Sequence, residues 1–193
     1  MFVWNEYLTR ALRTALGHSR WCVSLIHGFW DQRRLSIFGR IVIVTLLARR
    51  SRHFAGTRFR KRGLSRSGKV ANEVETEQIV DVGMDPRSGL PLLSSMVQIR
   101  GSVPLFWSQE VTMLSPKPEI TLQFFDPLYE VTAVHFEDLH QRYGTPVVVL
   151  NLLKSKEKRP RETLLRKELA IAIGVIEAAA RQREQQRRRR WRR

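Results

Sequence analysis

Apolar and polar positions along this chain switch between a helical and an extended period, and the switches mark out its elements. From Asn5 to Leu16 the residues Leu8, Ala11, Leu12, Ala15 and Leu16 recur at helical spacing, with Arg10 and Arg13 off that face. This predicts an amphipathic helix closed by Gly17. Trp21–Phe29 reads as a strand and Asp31–Arg34 as a charged turn. Leu35–Phe38 and Ile41–Ala48 read as two strands around a tight turn at Gly39 and Arg40. An antiparallel set of this kind presents Arg49–Arg62 as a loop at a sheet edge. Glu73, Glu75 and Glu77 then alternate, so an extended strand places the three carboxylates on one face.

The second half continues the alternation. Gly83 to Pro91 is rich in turn residues and predicts a loop, with Ser94–Arg100 as the strand after it. Pro104 breaks regularity, Pro116 and Pro118 frame an extended link, and Ile120–Phe124 reads as a strand. Tyr129–Tyr143 has helical spacing, ended by Gly144–Thr145–Pro146. Val147–Leu153 is a continuous apolar run of the kind a central strand shows. A last helix is predicted from Glu162 to about Ala180, with Leu164, Leu165, Leu169, Ile173 and Ile176 as its buried stripe. Helices and strands alternate loosely, so the expected class is α/β, a mixed sheet flanked by helices.

Charge changes this picture. The net charge of +16 is uneven: residues 1–70 carry +13, residues 71–180 carry −4, and residues 181–193 carry +7. Two basic ends around an ordinary middle call for an anionic partner, either a lipid headgroup surface or nucleic acid. The single cysteine, Cys22, excludes an intrachain disulfide and a cysteine-rich zinc site. No apolar run approaches the ~20 residues of a membrane-spanning helix.

The chemistry concentrates between Arg49 and Val80. Arg49, Arg50, Arg52, Arg58, Arg60, Lys61 and Arg62 are interleaved with Ala55, Gly56, Gly63 and Gly68 before the sign reverses at Glu73. Guanidinium forks grip phosphate oxygens in pairs, and glycine lets backbone N–H groups approach an anion. The competing reading is a solvated basic hairpin pinned by ion pairs to Glu73, Glu75 and Glu77. Arg100, followed by Gly101 and Ser102, is a further cation placed at a strand end. Lys154, Lys156, Lys158 and Arg159 form a second basic cluster, a membrane contact or simply a solvated face.

The words IHGF…RIVIVTLLA, RRSRHFAGTRFRKRG, VANEVETEQI, VQIRGSVPLFWSQ, PKPEITL, HFEDLHQRYG and VVVLNLLKSKEKRPRE occur in that order. Together they resemble the Sac-domain polyphosphoinositide phosphatases, most of all the branch acting on phosphatidylinositol 3,5-bisphosphate. The resemblance runs from about Trp4 to Ala178. It implies the front portion of a Sac catalytic domain over residues 1–180. The Arg-rich tail, residues 181–193, then stands outside it, disordered or as a helical extension.

What the resemblance implies for chemistry is a metal-free and cofactor-free cysteine phosphatase. A thiolate in a C-x5-R loop attacks phosphorus, and the arginine steadies the equatorial oxygens. The residue six positions after Cys22 is Gly28, so Cys22 does not supply that loop and reads as a core thiol. The nucleophile loop is expected downstream of Arg193, and the chain alone is expected to be inactive. Arg49, Arg50, Arg58, Lys61, Arg62 and Arg100 are the candidate phosphate-binding residues. The implied setting is cytoplasmic and peripheral on endosomal or vacuolar membranes, with a phosphoinositide lipid, a helical-repeat scaffold and a lipid kinase as partners. The alternative is a non-catalytic fragment that binds membrane or scaffold. Nucleic acid, drawn only from the Arg187–Arg193 run, is disfavoured because no binding-fold signature accompanies it.

Overall fold

The computed structural model describes residues 1–17, 20–57, 60–109, 118–123 and 126–191. They form two compact units that interleave along the chain. The first unit is Met1–Ala55 with Asn72–Gly101, and the second is Gly56–Ala71 with Ser102–Arg193.

The first unit is a four-stranded antiparallel meander behind a helix, α1 (Glu6–Leu16). Its strands β1 (Gly28–Ile37), β2 (Arg40–Arg50), β3 (Val74–Met84) and β4 (Pro91–Arg100) pair in chain order. The first hairpin is present as expected, but its turn is one residue earlier than Gly39–Arg40, because Arg40 pairs with Ile37 as the first residue of β2. Phe38 and Gly39 carry it with φ of 50° and 76°. Two successive left-handed residues match the right-handed twist of the flanking strands.

Two sequence expectations are corrected in this unit. Asp31–Arg34 is no turn but the middle of β1, with Asp31 opposite Leu46 and Arg33 opposite Val44. β1 lies at the sheet edge, where charged side chains face water and pair along the strand. Arg33 Nε donates to Asp31 Oδ2 at 2.9 Å. Trp21–Phe29 is irregular up to Gly28, apart from one bridge between Ile26 and Val3. Its backbone groups are taken by the turn before α1: Asn5 bonds Val23 O at 2.8 Å and Leu25 N at 2.9 Å.

The second unit packs two short strands, β5 (Trp107–Gln109) and β6 (Ile120–Leu122), with two helices, α2 (Glu130–Tyr143) and α3 (Glu162–Trp191). Its core is Leu105, Trp107, Leu165, Leu169 and Ala172. The α3 residues among them are spaced by four and three, as a buried helical stripe requires. Leu164, expected in that stripe, is 43% exposed.

The helix also runs on past Ala180. Its distal turns are held by i,i+4 pairs, Arg181 with Glu177 at 3.2 Å and Arg188 with Glu184 at 2.6 Å, and by arginines at its negative C-terminal end. Val147–Leu153 forms no strand. Val148, Leu150 and Leu152 are 87%, 80% and 82% exposed, and no strand among the described residues pairs with them. An apolar run signals a wish for burial, whereas a strand also needs a partner.

The α/β class holds, and every strand pairing among the described residues is antiparallel.

Candidate functional site

The basic stretch is divided between the two units. Arg49, Arg50 and Arg100 belong to the first, and Lys61 and Arg62 to the second. Arg58 lies outside the described residues.

Arg49 and Arg50 are the last residues of β2, an interior strand, and not part of an edge loop. Register decides what Arg49 meets. It stands opposite Glu75, with Leu47 opposite Glu77, so the guanidinium shares a face with both carboxylates. Arg49 Nη2 donates to Glu75 and, at 3.0 Å, to Glu77 Oε2, while Ser95 Oγ donates to Glu77 Oε1 at 2.8 Å. The Phe2 ring lies 5.5 Å below the guanidinium. Glu75 is 5% exposed and Glu73 fully buried. Here the pinned-hairpin reading holds for Arg49. A carboxylate this deep is tolerable only while the cation stays in place.

Arg50 points to the other face. It stands opposite Val74, which stands opposite Arg100, so both arginines share one face two strands apart, about 10 Å. Arg50 donates to Asn72 Oδ1, and its carbonyl accepts Trp4 Nε1–H at 3.0 Å. Arg100 is exposed at the end of β4. Arg52 donates to Glu6.

In the second unit, Gly56–Ala71 is stitched to later residues. Leu64 N donates to Leu105 O at 2.9 Å, and Gly63 N to Ser102 Oγ at 2.8 Å. Gly63 has a φ of 67°, and a Cβ there would lie 2.5 Å from Leu105 O, so only glycine fits. Lys61 is exposed. Arg62 lies over the Trp107 ring at 5.3 Å, and its Nε donates to Gln109 Oε1 at 3.1 Å. Trp107 is core, 6% exposed, and Arg62 roofs it.

A polar cluster not singled out in the sequence sits beside this segment. Asp138 accepts from Lys69 Nζ at 2.7 Å and from Arg142 Nη2 at 2.9 Å. Both cations hold its carboxyl below the usual range against the opposing effect of burial. His135, one turn earlier on α2, is buried, and its Nδ1 lies 3.2 Å from Gly68 O. Burial pushes His135 down to about 4, with Arg142 and Lys69 adding to the effect and Gly68 O and Asp138 opposing it. The imidazole is therefore neutral and donates Nδ1–H to Gly68. It is a packing histidine.

Lys154, Lys156, Lys158 and Arg159 are all exposed. Between them Glu157 turns inward and caps α3, accepting from Arg161 N at 3.0 Å and Thr163 N at 3.1 Å. These bonds, Thr163 first, lower its pKa. Cys22 is half-buried in the irregular segment before β1, which corrects its expected place in a core strand.

The second unit also holds a cavity of about 210 Å³, lined by Leu105, Phe106 and Leu122 with Asp126, Tyr129 and Glu168. Tyr129 Oη donates to Glu168 Oε1 at 2.7 Å. Burial, the bond to Glu168 and the nearby carboxylates push the phenol up to about 12. Two carboxylates in the wall repel an anion, and no sequence-predicted site residue lines it. This is no phosphate pocket.

Comparison with known proteins supplies the family. The model described as the SacI homology domain matches residues 1–190. The chain belongs to the Sac family. It is 54% identical over 184 residues to Phosphatidylinositol-3-phosphatase SAC1 of Arabidopsis thaliana, covering 94% of this chain and 20% of that protein. It is 52% identical over 184 residues to Polyphosphoinositide phosphatase of Schizosaccharomyces pombe, covering 91% and 22%. A zebrafish (Danio rerio) relative, Phosphatidylinositol-3-phosphatase SAC1-B, is 34% identical over 184 residues, covering 93% and 29%. This Sac chain thus spans about a fifth of the length of its plant and yeast relatives. Within it, the only cysteine lacks an arginine six positions on, so the chain holds no thiolate cradle of the C-x5-R kind.

Proposed function

We propose that this chain is the front portion of a phosphoinositide phosphatase and supplies surface that meets the anionic inositol lipid, while the nucleophilic step belongs to sequence it does not contain. The identity to Phosphatidylinositol-3-phosphatase SAC1 of Arabidopsis, 54% across nearly the whole chain, carries the reading. The arrangement of cations supports it and narrows the contact. Arg49 is committed to Glu75 and Glu77, and Arg62 lies over Trp107. Arg50 and Arg100 on one face of the first unit, Lys61 in the second, and Arg58 are the candidate phosphate contacts. Lys154, Lys156, Lys158 and Arg159 form a second exposed membrane contact. The substrate of the whole protein is phosphatidylinositol 3,5-bisphosphate, and its place is the cytoplasmic face of endosomal or vacuolar membranes. The exposed apolar run at Val148, Leu150 and Leu152 favours a further protein contact, a scaffold or a lipid kinase, for the same chain.

The test is sedimentation of the purified 193-residue chain with phosphatidylcholine vesicles, with and without phosphatidylinositol 3,5-bisphosphate. The expected outcome is binding only to the anionic vesicles, weakening with salt, reduced by Lys61→Ala with Arg100→Ala, and with no phosphate released. Equal binding to neutral vesicles, or binding indifferent to both substitutions, overturns the assignment of these residues. Phosphate release by the chain alone overturns the division of labour.

A further inference from the structure

The turn at Ser65–Lys69 carries a feature that lipid binding does not explain. Arg60 and Arg62 stand five and three residues before Ser65, in the run Arg60-Lys61-Arg62-Gly63-Leu64-Ser65. Serine kinases that read basic sequence hold arginines at these two offsets in acidic subsites; Arg60 is already exposed, and Arg62 reaches its subsite by swinging off the Trp107 ring. The structure places the acceptor in a tight turn whose Gly68 side packs against α2 and whose tip is open. Leu64 and Val70 bridge at its base and are buried, at 4% and 2% exposed, while Arg66 and Ser67 at its tip are exposed and Ser65 is half-buried. Ser65 O accepts from Gly68 N at 3.0 Å and Ser65 N donates to Lys69 O at 2.8 Å, which fixes the turn. The hydroxyl has no deep commitment. Ser65 Oγ accepts from Lys69 N and lies beside Ser67 Oγ, each at 3.0 Å.

We propose that Ser65 is a phosphorylation site for an arginine-directed serine kinase. Ser65 Oγ bonds to the γ-phosphorus of magnesium-bound ATP. The bond from that phosphorus to the β,γ-bridging oxygen breaks, ADP leaves with the electron pair, and the hydroxyl proton passes to the kinase's catalytic carboxylate. The product lands among donors already in place. The Lys69 amide points at Oγ, Arg66 is on the same turn, and the Lys69 ammonium is held 2.7 Å from Asp138. A phosphate of charge about −1.5 to −2 competes with that single carboxylate for Lys69. Arg142, bound to Asp138 at 2.9 Å, compensates Asp138 when Lys69 turns away.

The consequence rests on the membrane reading given above. Residues 56–71 hold six cations and no acid, so a phosphate at Ser65 cancels about a third of the positive charge that the segment offers an anionic surface. The modification is then an electrostatic release, and vesicle affinity falls about tenfold.

The folded 193-residue chain is incubated with a purified arginine-directed serine kinase and magnesium ATP, and the phosphate is located by mass spectrometry. One phosphate at Ser65 is expected, absent in Ser65→Ala and formed about tenfold more slowly in Arg60→Ala, a substitution at an exposed side chain. Phosphate found only at Ser67 or elsewhere overturns the proposal. So does an Arg60→Ala rate equal to that of the parent, or a folded chain that resists while the heat-unfolded chain is modified. The phosphorylated and unmodified chains are then sedimented with vesicles containing phosphatidylinositol 3,5-bisphosphate. Equal binding overturns the release while leaving the site. An unmodified chain that does not bind at all refutes the membrane reading, and with it the release, independently of the mass-spectrometric result.

Discussion

Replacing His135 by glutamine removes one proton-linked contribution to stability, and its size follows from the site. The imidazole is buried on α2 beneath Gly68, and its pKa falls from 6.5 to about 4. The folded protein therefore binds the proton less readily than the unfolded chain. Stability from this residue is fully present above pH 6.5, is lost as pH falls, and levels off below about 4. Each unit is worth about 1.4 kcal/mol, so the full loss is about 3 kcal/mol, of which about 2 has occurred by pH 5. Asp85 and Asp138, lowered from 3.8, and Glu157, lowered from 4.5, lose their contributions only below those values. The interval from pH 4.5 to 6.5 thus isolates His135 from them. Urea unfolding at pH 7.5 and pH 5.0 is expected to show a midpoint lower by roughly 1 M at the lower pH. The His135→Gln side chain does not titrate, and should flatten most of that difference. A variant that keeps the full shift, or a His135 imidazole resonance (the one lost in His135→Gln) that titrates near 6.5, refutes the argument.

Arg49→Met leaves Glu75 buried opposite an uncharged side chain and should cost about 3–5 kcal/mol, read as a lower urea midpoint. Adding Glu75→Leu to that variant should recover most of the loss, and a double variant as unstable as the single one would contradict the clamp. Phe38 is fully exposed with a left-handed φ of 50° ahead of Gly39. Phe38→Asn creates an Asn-Gly hairpin turn and should stabilise by about 0.5–1 kcal/mol, measured by thermal melting, with a lower melting temperature as the adverse result.

Much of this fold was legible because it is local. The hairpin at Phe38–Gly39, the strand ending at Arg100, α2 and the start of α3 each announce themselves by period and by a flanking turn residue. The alternation of Glu75 and Glu77 correctly put two carboxylates on one face. What alternation cannot supply is register, and register alone delivers Arg49 to them and sets Arg50 beside Arg100 across Val74. Asp31–Arg34 looked like a turn because an edge strand carries the same charged residues that a turn does. Val147–Leu153 looked like a strand because apolarity is visible in sequence and a pairing partner is not. The cluster around Asp138 was hidden for the plainest reason, since Lys69 reaches it across 69 positions of chain.

The excursion at Gly56–Ala71 sets how this protein can be cut. The chain crosses between its units at residues 55–56, 71–72 and 101–102, so neither unit is a continuous stretch of gene. A truncation after Gly101 keeps every strand of the meander yet strands Leu64 and Val70 without Leu105, turning a packed segment into a sticky one. A single protease nick inside residues 56–71 leaves each piece with residues of both units. A fragment that follows the first unit ends at Gly101 and replaces residues 56–71 by a linker from Ala55 to Asn72. A cut at an apparent boundary does not yield one.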